Sequence, residues 1–587
     1  ARLEQETLPD IQSQMLRTLC ALGAPEQVLP YLQHPQPALQ AGAMIGLLRG
    51  DDVTGFLTAQ TRLLAAVAAP QPAERRFAAT ILGEVHSSTL SAEAPLTKLL
   101  SDPEPEVRQA AALAAGRVRL PALYPLMVTY LETTGNGLSA AMQALAAAGE
   151  GILPLLIDTF TKPEQPRHVL LRLLRVMSAI GGDQVKTWLH SQRACPDEFV
   201  RYYILEALLK LGYRATPAEY AELEFTIGRE TREIAWNLTV LLEARTETRA
   251  TLLVRALEQE IDLTLQRIIM LLALRYESAA LLTVQANYNH PSREKRAYAL
   301  EILDTTLSRE LKTTIMPLIE MQEPQQRWHF LSSLYPQQSQ PLMQRLRGIL
   351  VGDYQEVHPW TKACVFYTIA ELGDKQASPD VAAVLFGTTD IIVRETALWT
   401  LYRLNPVLYN IYQRSLQDIQ KGEGKSALAK STIVAAATIE KEIRGQGKML
   451  LLVEKVIILR TVSIFAEMPE DYLAEIAMVL QEVLVAPGET FIRKGDPGNC
   501  LYIIASGRVR VHDGEREFVR LGEREVVGEL ALLDSEPRNA DVSAVEETML
   551  LKLEQDIFFE LIASNPPVVR GVMRVLTRRL RASMARN

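Results

Sequence analysis

From its start to about residue 410 the chain repeats one pattern of apolar and polar positions. Apolar residues recur at spacings of three and four, stop at a Pro, Asp or Gly break, and resume in a second segment rich in alanine and leucine. The clearest copy runs from Leu96 to Leu113. Leu96, Leu99 and Leu100 share one helical face, Asp102-Pro103 stops that helix, and the pattern predicts Val107, Ala110, Ala111 and Leu113 on the buried side of the next. Weaker copies run from His34-Pro35 to Leu48, Pro70 to Leu82, Asp197 to Gly212, His290-Pro291 to Leu303 and Asp390 to Leu401. After about residue 480 the pattern changes to short β-type runs such as Leu501–Ile504. Tight-turn residues punctuate them at Pro487-Gly488, Gly495-Asp496, Ser506-Gly507 and Asp513-Gly514, which predicts a closed roll of short strands.

A helix pair with one apolar face cannot bury it alone, so the repeat predicts a stacked array with a long curved surface. The Val-Arg pairs at 107–108, 200–201 and 393–394 resemble those of HEAT repeats. The repeated arginines read as caps or crosslinks between neighbouring helices, and the five tryptophans as packing residues rather than a stacking platform. The repeat fades beyond about 406. Polar, glycine-rich Gln420–Ser426 is a plausible joint, and helical periodicity returns over Ala427–Arg444 and Met449–Leu459. Pro469-Glu470-Asp471 opens a further helix with Leu473, Ile476, Ala477 and Leu480 on its apolar face. The expected class is mainly α: a HEAT-like α-solenoid over 1–410, a helical connector over 411–460, and a C-terminal β-roll with flanking helices over 461–587.

Composition narrows the function. A net charge of −8 argues against a general nucleic-acid binder, which carries a basic excess. Four scattered cysteines suggest neither a disulfide framework nor a zinc site, and the dispersed histidines support no metal. No apolar run reaches the length of a bilayer span, so a soluble, cytoplasmic chain is the default expectation. No nucleophile elbow, P-loop or dinucleotide-binding glycine run appears, and an enzyme is the least supported class.

The candidate chemistry lies in residues 526–542. Gly528 permits a close backbone turn, and Glu529–Leu533 can form one short helical turn whose free amides face an anion. Pro537 fixes the backbone before Arg538, whose planar guanidinium can grip two phosphate oxygens, while Glu529 has the right acceptor for a ribose hydroxyl. Gly528-Glu529-Leu530-Ala531-Leu532 followed by Pro537-Arg538-Asn539-Ala540 resembles the phosphate-binding cassette of the cyclic-nucleotide-binding domain family. Gly488-Glu489, Phe491-Ile492, Gly495-Asp496, Leu501–Ile504 and Ser506–Val509 occur in that family's order. The resemblance implies that Arg538 holds the cyclic phosphate and Glu529 the ribose 2′-hydroxyl, with Gly528, Leu530, Ala531, Asn539 and Ala540 completing the site. It also implies cAMP as regulatory ligand, with cGMP as the alternative.

Asn539 and Asp541 depart from the family pattern. An extended segment after Pro537 puts both on the face opposite Arg538 and Ala540, which turns the Asp541 carboxylate away from the anion. Aliphatic Val509, Val511 and Leu521 are expected to flank the base. Two final helices, about 555–564 and 567–583, carry Arg570, Arg574, Arg578, Arg579 and Arg581; they read equally as a solvated basic face or as a lid. The leading expectation is a cyclic-nucleotide-responsive scaffold with a protein partner on the solenoid. A ligand-independent scaffold with a degenerate roll is the alternative. A weaker resemblance, of residues 290–304 and 316–320 to the HEAT region of some bacterial ATP/ADP-carrier-like transporters, implies a regulatory half whose membrane domain is missing from this chain.

Overall fold

The computed structural model describes residues 8–413, 450–558 and 577, apart from 86–90, 133–137, 352–356, 529–536 and a few isolated positions. The chain forms two compact units, Ala1–Cys195 and Pro196–Asn587.

The first unit is an array of helices that begin where the sequence places proline, among them Pro37–Arg49, Pro72–Glu84 and Pro105–Val118. Proline is tolerated in a first turn because that turn's N–H groups have no partner inside the helix. Neighbouring helices approach to backbone contact through small residues. A Cβ on Gly83 would lie 2.7 Å from Ala114 Cα, and one on Gly116 would lie 2.6 Å from Ala144 Cα. Val107, Ala111, Ala114 and Ala115 are buried, but Leu113 is 39% exposed, against expectation. At 100° per residue, Leu113 lies 600° beyond Val107, which rotates it away from the face that Ala111 and Ala114 share.

The repeated arginines clip helix ends. Arg75 donates to the carbonyls of Ala69 and Pro70 at 3.0 and 2.9 Å, and Arg108 to those of Asp102 and Pro103 at 2.8 and 2.7 Å. In the second unit Arg296 does the same to His290 and Pro291 at 2.6 and 3.0 Å. In each case the acceptors lie six and five residues upstream, where the preceding helix has run out of intrahelical donors. Arg75 also grips Asp102 at 2.7 and 2.9 Å, tying one helix pair to the next. Imidazoles cap as well: His34, His290 and His358 each accept through Nδ1 from the amide two residues on, across a His-Pro turn.

The second unit is itself a helical array from Glu198–Lys210 to Ile391–Leu404, followed by the roll. Its long helices Tyr220–Ala244 and Thr251–Arg275 bury ion pairs between them. Arg267, 2% exposed, donates to Glu230 at 2.8 Å and to Glu233 at 3.0 Å. Residues 290–320 form ordinary helices of this array, Arg293–Thr306 and Arg309–Glu320. The expected joint at 420–426 and helix at 427–444 lie outside the described residues. The helix expected at 449–459 is present as Leu452–Thr461, and the next is Glu470–Val479, with Leu473, Ile476 and Ala477 fully buried.

Eight strands make the roll: β1 Gln481–Val485, β2 Thr490–Ile492, β3 Cys500–Ser506, β4 Val509–Asp513, β5 Arg516–Leu521, β6 Val526–Val527, β7 Asp541–Ala544 and β8 Thr548–Glu554. They pair antiparallel in two sheets, ordered β1-β8-β3-β6 and β2-β7-β4-β5. The glycines of the predicted turns, Gly488, Gly495, Gly507 and Gly514, all have positive φ. Val485, Ile492, Ile504, Val509, Val527, Val542, Ala544 and Leu550 fill the interior. Of the two final helices, only Gln555, Ile557, Phe558 and Thr577 are described, so the expected lid lies outside the described residues.

Candidate functional site

The site is built around Arg538, just ahead of β7. Its backbone is fixed by the Gly495-Asp496 turn: the Arg538 amide donates to Asp496 O at 2.9 Å, and its carbonyl accepts from Gly495 N at 2.8 Å. Alternation along this extended segment then turns Arg538 inward and Asn539 outward, as expected; Arg538 is 8% exposed and Asn539 is exposed.

The guanidinium lies across the ends of two strands. It donates to Cys500 O at 2.6 Å and to Gly528 O at 3.1 Å, and Nη2 lies 3.5 Å from Cys500 Sγ. Gly528 is required for this pose on two counts. Its φ of +84° is left-handed, and a Cβ there would stand 2.4 Å from Arg538 Nη1 and 3.2 Å from Cys500 O. The turn at Gly528 is the part readable from sequence; its closeness to Arg538 and Cys500 is not.

Every described partner of the Arg538 guanidinium is neutral. In such a buried, low-dielectric setting an anion is held more strongly by a guanidinium than it is in water. Burial pushes the neighbouring Tyr502 hydroxyl up to about 12, with Cys500 acting in the same direction and Arg538 against it, so the phenol stays neutral. Phe491 meets the Tyr502 ring edge-on at 5.2 Å.

Asp541 is turned away from the cation's partners, as expected. Its Oδ1 accepts from Lys494 N at 2.8 Å, and the Lys494 ammonium pairs with Asp513 at 2.5 Å. Val511 and Leu521 are half-buried against the interior, but Val509 is wholly buried in it. This corrects the expectation for Val509: paired with Leu521 of β5 and Ala544 of β7, both packed with it in the interior, it is core rather than pocket wall. Glu529, Leu530 and Ala531 lie outside the described residues; Gly528, Arg538, Asn539 and Ala540 lie within them.

Sequence reasoning missed a buried polar chain that joins β4, β7 and β2 of the roll. His512, 7% exposed, places Nδ1 2.9 Å from Gly514 O and Nε2 2.8 Å from Ser543 Oγ, which lies 2.7 Å from Thr490 Oγ1. A carbonyl only accepts, so Nδ1 carries the proton, and a neutral ring accepts from Ser543 at Nε2. Strict alternation on β4 puts His512 on the face of Arg510, opposite the valines; the register shift between Val511 and His512 that turns it inward left no local signal.

Residues 482–565 match the family described as cyclic nucleotide-binding domain, and residues 60–146 match HEAT repeats. The chain carries HEAT repeats and a C-terminal cyclic nucleotide-binding domain. Among similar proteins, a CRP-like cAMP-activated global transcriptional regulator of Mycobacterium tuberculosis is 32% identical over 21% of this chain and 58% of its own length. A cyclic AMP receptor protein of Thermus thermophilus is 41% identical over 17% of this chain and 49% of its own. A cAMP-dependent protein kinase regulatory subunit of Hypocrea atroviridis is 30% identical over 20% and 24%. The chain thus spans about half the length of the first two, and all three matches cover only a fifth of it or little more. Among the described residues no group of His, Cys, Asp and Glu is placed to hold a metal ion, and no single helix is long and apolar enough to cross a membrane.

Proposed function

We propose that this chain is a cAMP-responsive regulatory scaffold, in which the nucleotide-binding domain senses ligand and the solenoid presents the response to a protein partner. The observation that carries the reading is Arg538: buried, preorganised by two carbonyls, and without a carboxylate among the described residues. A cyclic phosphate supplies the missing negative charge. Glu529 then accepts from the ribose 2′-hydroxyl, and the backbone around Leu530, Ala531, Asn539 and Ala540 completes the cradle. Val511 and Leu521 offer half-buried aliphatic surface to a base. The preference for cAMP over cGMP is supported by the relatives, whose names tie them to cAMP. Both matched domains are of regulatory or scaffold type, which supports recognition as their chemistry.

Calorimetry of the full chain with cAMP and with cGMP tests this. Arg538→Ala removes a charge-assisted contact and is expected to cost ~1.5–3 kcal/mol of binding, about ten- to more than a hundredfold in Kd. Binding of undiminished strength in Arg538→Ala would refute the assigned role.

A further inference from the structure

We infer that the first turn of the Leu452–Thr461 helix transmits nucleotide occupancy of the roll to the Ile391–Leu404 helix of the solenoid. The inference rests on the nucleotide-binding reading and names how that site is read out.

Two elements grip this turn at once. From the solenoid side Glu395, 4% exposed, accepts from the Leu452 amide at 2.6 Å, 57 residues along the chain. From the roll side Glu482, on β1, pairs with Lys455 at 2.8 Å and accepts from the Leu450 amide at 3.4 Å. The Lys455 and Glu482 side chains are each only 10% exposed, and Glu454 closes the turn by accepting from Leu451 N at 2.9 Å. Free amides at a helix start are thereby shared between the carboxylates of two domains. Such buried, charge-assisted contacts are made or broken as a set rather than stretched.

The same sheet reaches the arginine. Glu482 on β1 is opposite Leu551 of β8, which is opposite Ile503 of β3. β3 begins at Cys500, whose carbonyl holds Arg538, and the far-edge strand β6 leads into Gly528, whose carbonyl is the second acceptor. One four-stranded sheet therefore carries the Lys455 contact at one edge and both arginine anchors on its other strands. An anion on Arg538 competes with those two carbonyls for the guanidinium protons, and the strands that supply them are released or shifted.

The test uses the full chain and cAMP, with titration calorimetry and amide hydrogen exchange of peptides covering 391–404. Lys455→Met and Glu482→Gln each remove the roll-side grip; the second is the gentler change, and melting curves check that both fold. In the native chain cAMP changes exchange across 391–404. Both variants are expected to bind cAMP without that response, and reciprocity requires their Kd to shift by about five- to 150-fold. A native chain that binds cAMP with no response at 391–404, or variants that keep both the response and the native Kd, would overturn the coupling while leaving the pocket standing. Absence of binding by the native chain overturns the pocket reading, and the coupling falls with it.

Discussion

Arg345 in the solenoid and Arg538 in the roll are equally buried, each 8% exposed, yet they are compensated in opposite ways. Arg345 makes a two-pronged pair with Glu243, at 2.9 and 3.1 Å, and donates to Gln338 O at 2.6 Å. Arg538 has carbonyl acceptors on the same plan but no described carboxylate. Arg345 is thus neutralised on the spot as a structural rivet, as is Arg267 by Glu230. Among the described residues the roll sets no carboxylate against its cation. A buried guanidinium therefore reads as structural or as ligand-binding according to what neutralises it, not according to depth.

The sharpest way to break that comparison is to remove both arginines separately. Arg345→Ala strands the Glu243 carboxylate in the interior and is expected to destabilise the solenoid by ~3–5 kcal/mol. Denaturant unfolding followed by helical circular dichroism measures it, and cAMP affinity serves as a control. Arg538→Ala strands no described carboxylate, so without ligand its stability loss should be much smaller and its effect should appear in binding. Comparable unfolding losses in the two variants would erase the distinction.

Glu395 extends the contrast to a buried carboxylate. Burial pushes its carboxyl up to about 7, and Glu454 and Glu482 act in the same direction, while the Leu452 amide and Lys455 oppose them. A folded-state pKa above the unfolded value gives stability that is complete below the ordinary carboxylate range and lost as pH rises through 7. From 4.5 to about 7 the loss is on the order of 3 kcal/mol. Glu395→Gln keeps an acceptor for Leu452 N without the titration. The difference in melting temperature between native chain and variant, scanned from pH 4.5 to 8, should change steadily over that window; a constant difference would show that Glu395 does not titrate there.

Legibility from sequence divides along the same line. Short-range devices were readable: proline at helix starts, His-Pro breaks, positive-φ glycines at the strand turns, and the inward phase of Arg538 against the outward phase of Asn539. Each is set by residues within a turn or two of one another. Leu113 failed because a single leucine was assigned by type and not by its angle on the helix. Pairings across long separations left no local trace. Glu243 and Arg345 stand 102 residues apart, Glu395 and Leu452 stand 57 apart, and Ser543 stands 31 from His512. The sequence could therefore name the arginine of the site but not its described partners, since those depend on which distant groups the fold brings near.

The smallest expected effect tests whether the Arg538 cation is held in place by shape. Gly528→Ala adds a methyl where 2.4 Å separates the Cβ position from Arg538 Nη1, and it does so at a φ of +84°. The arginine is the flexible partner, so it yields first, giving up its bond to Gly528 O and turning from the pose in which it meets an anion. Strain of this kind costs ~1–3 kcal/mol. Part of it should appear as lost stability of the roll and part as weaker cAMP binding, by about tenfold. A double variant separates the two. If the glycine acts through the arginine, Gly528→Ala weakens binding in the native background but adds little on top of Arg538→Ala, because the group it displaces is already gone. Additive losses in affinity would instead mean that Gly528 serves the ligand directly, through the backbone turn it alone permits.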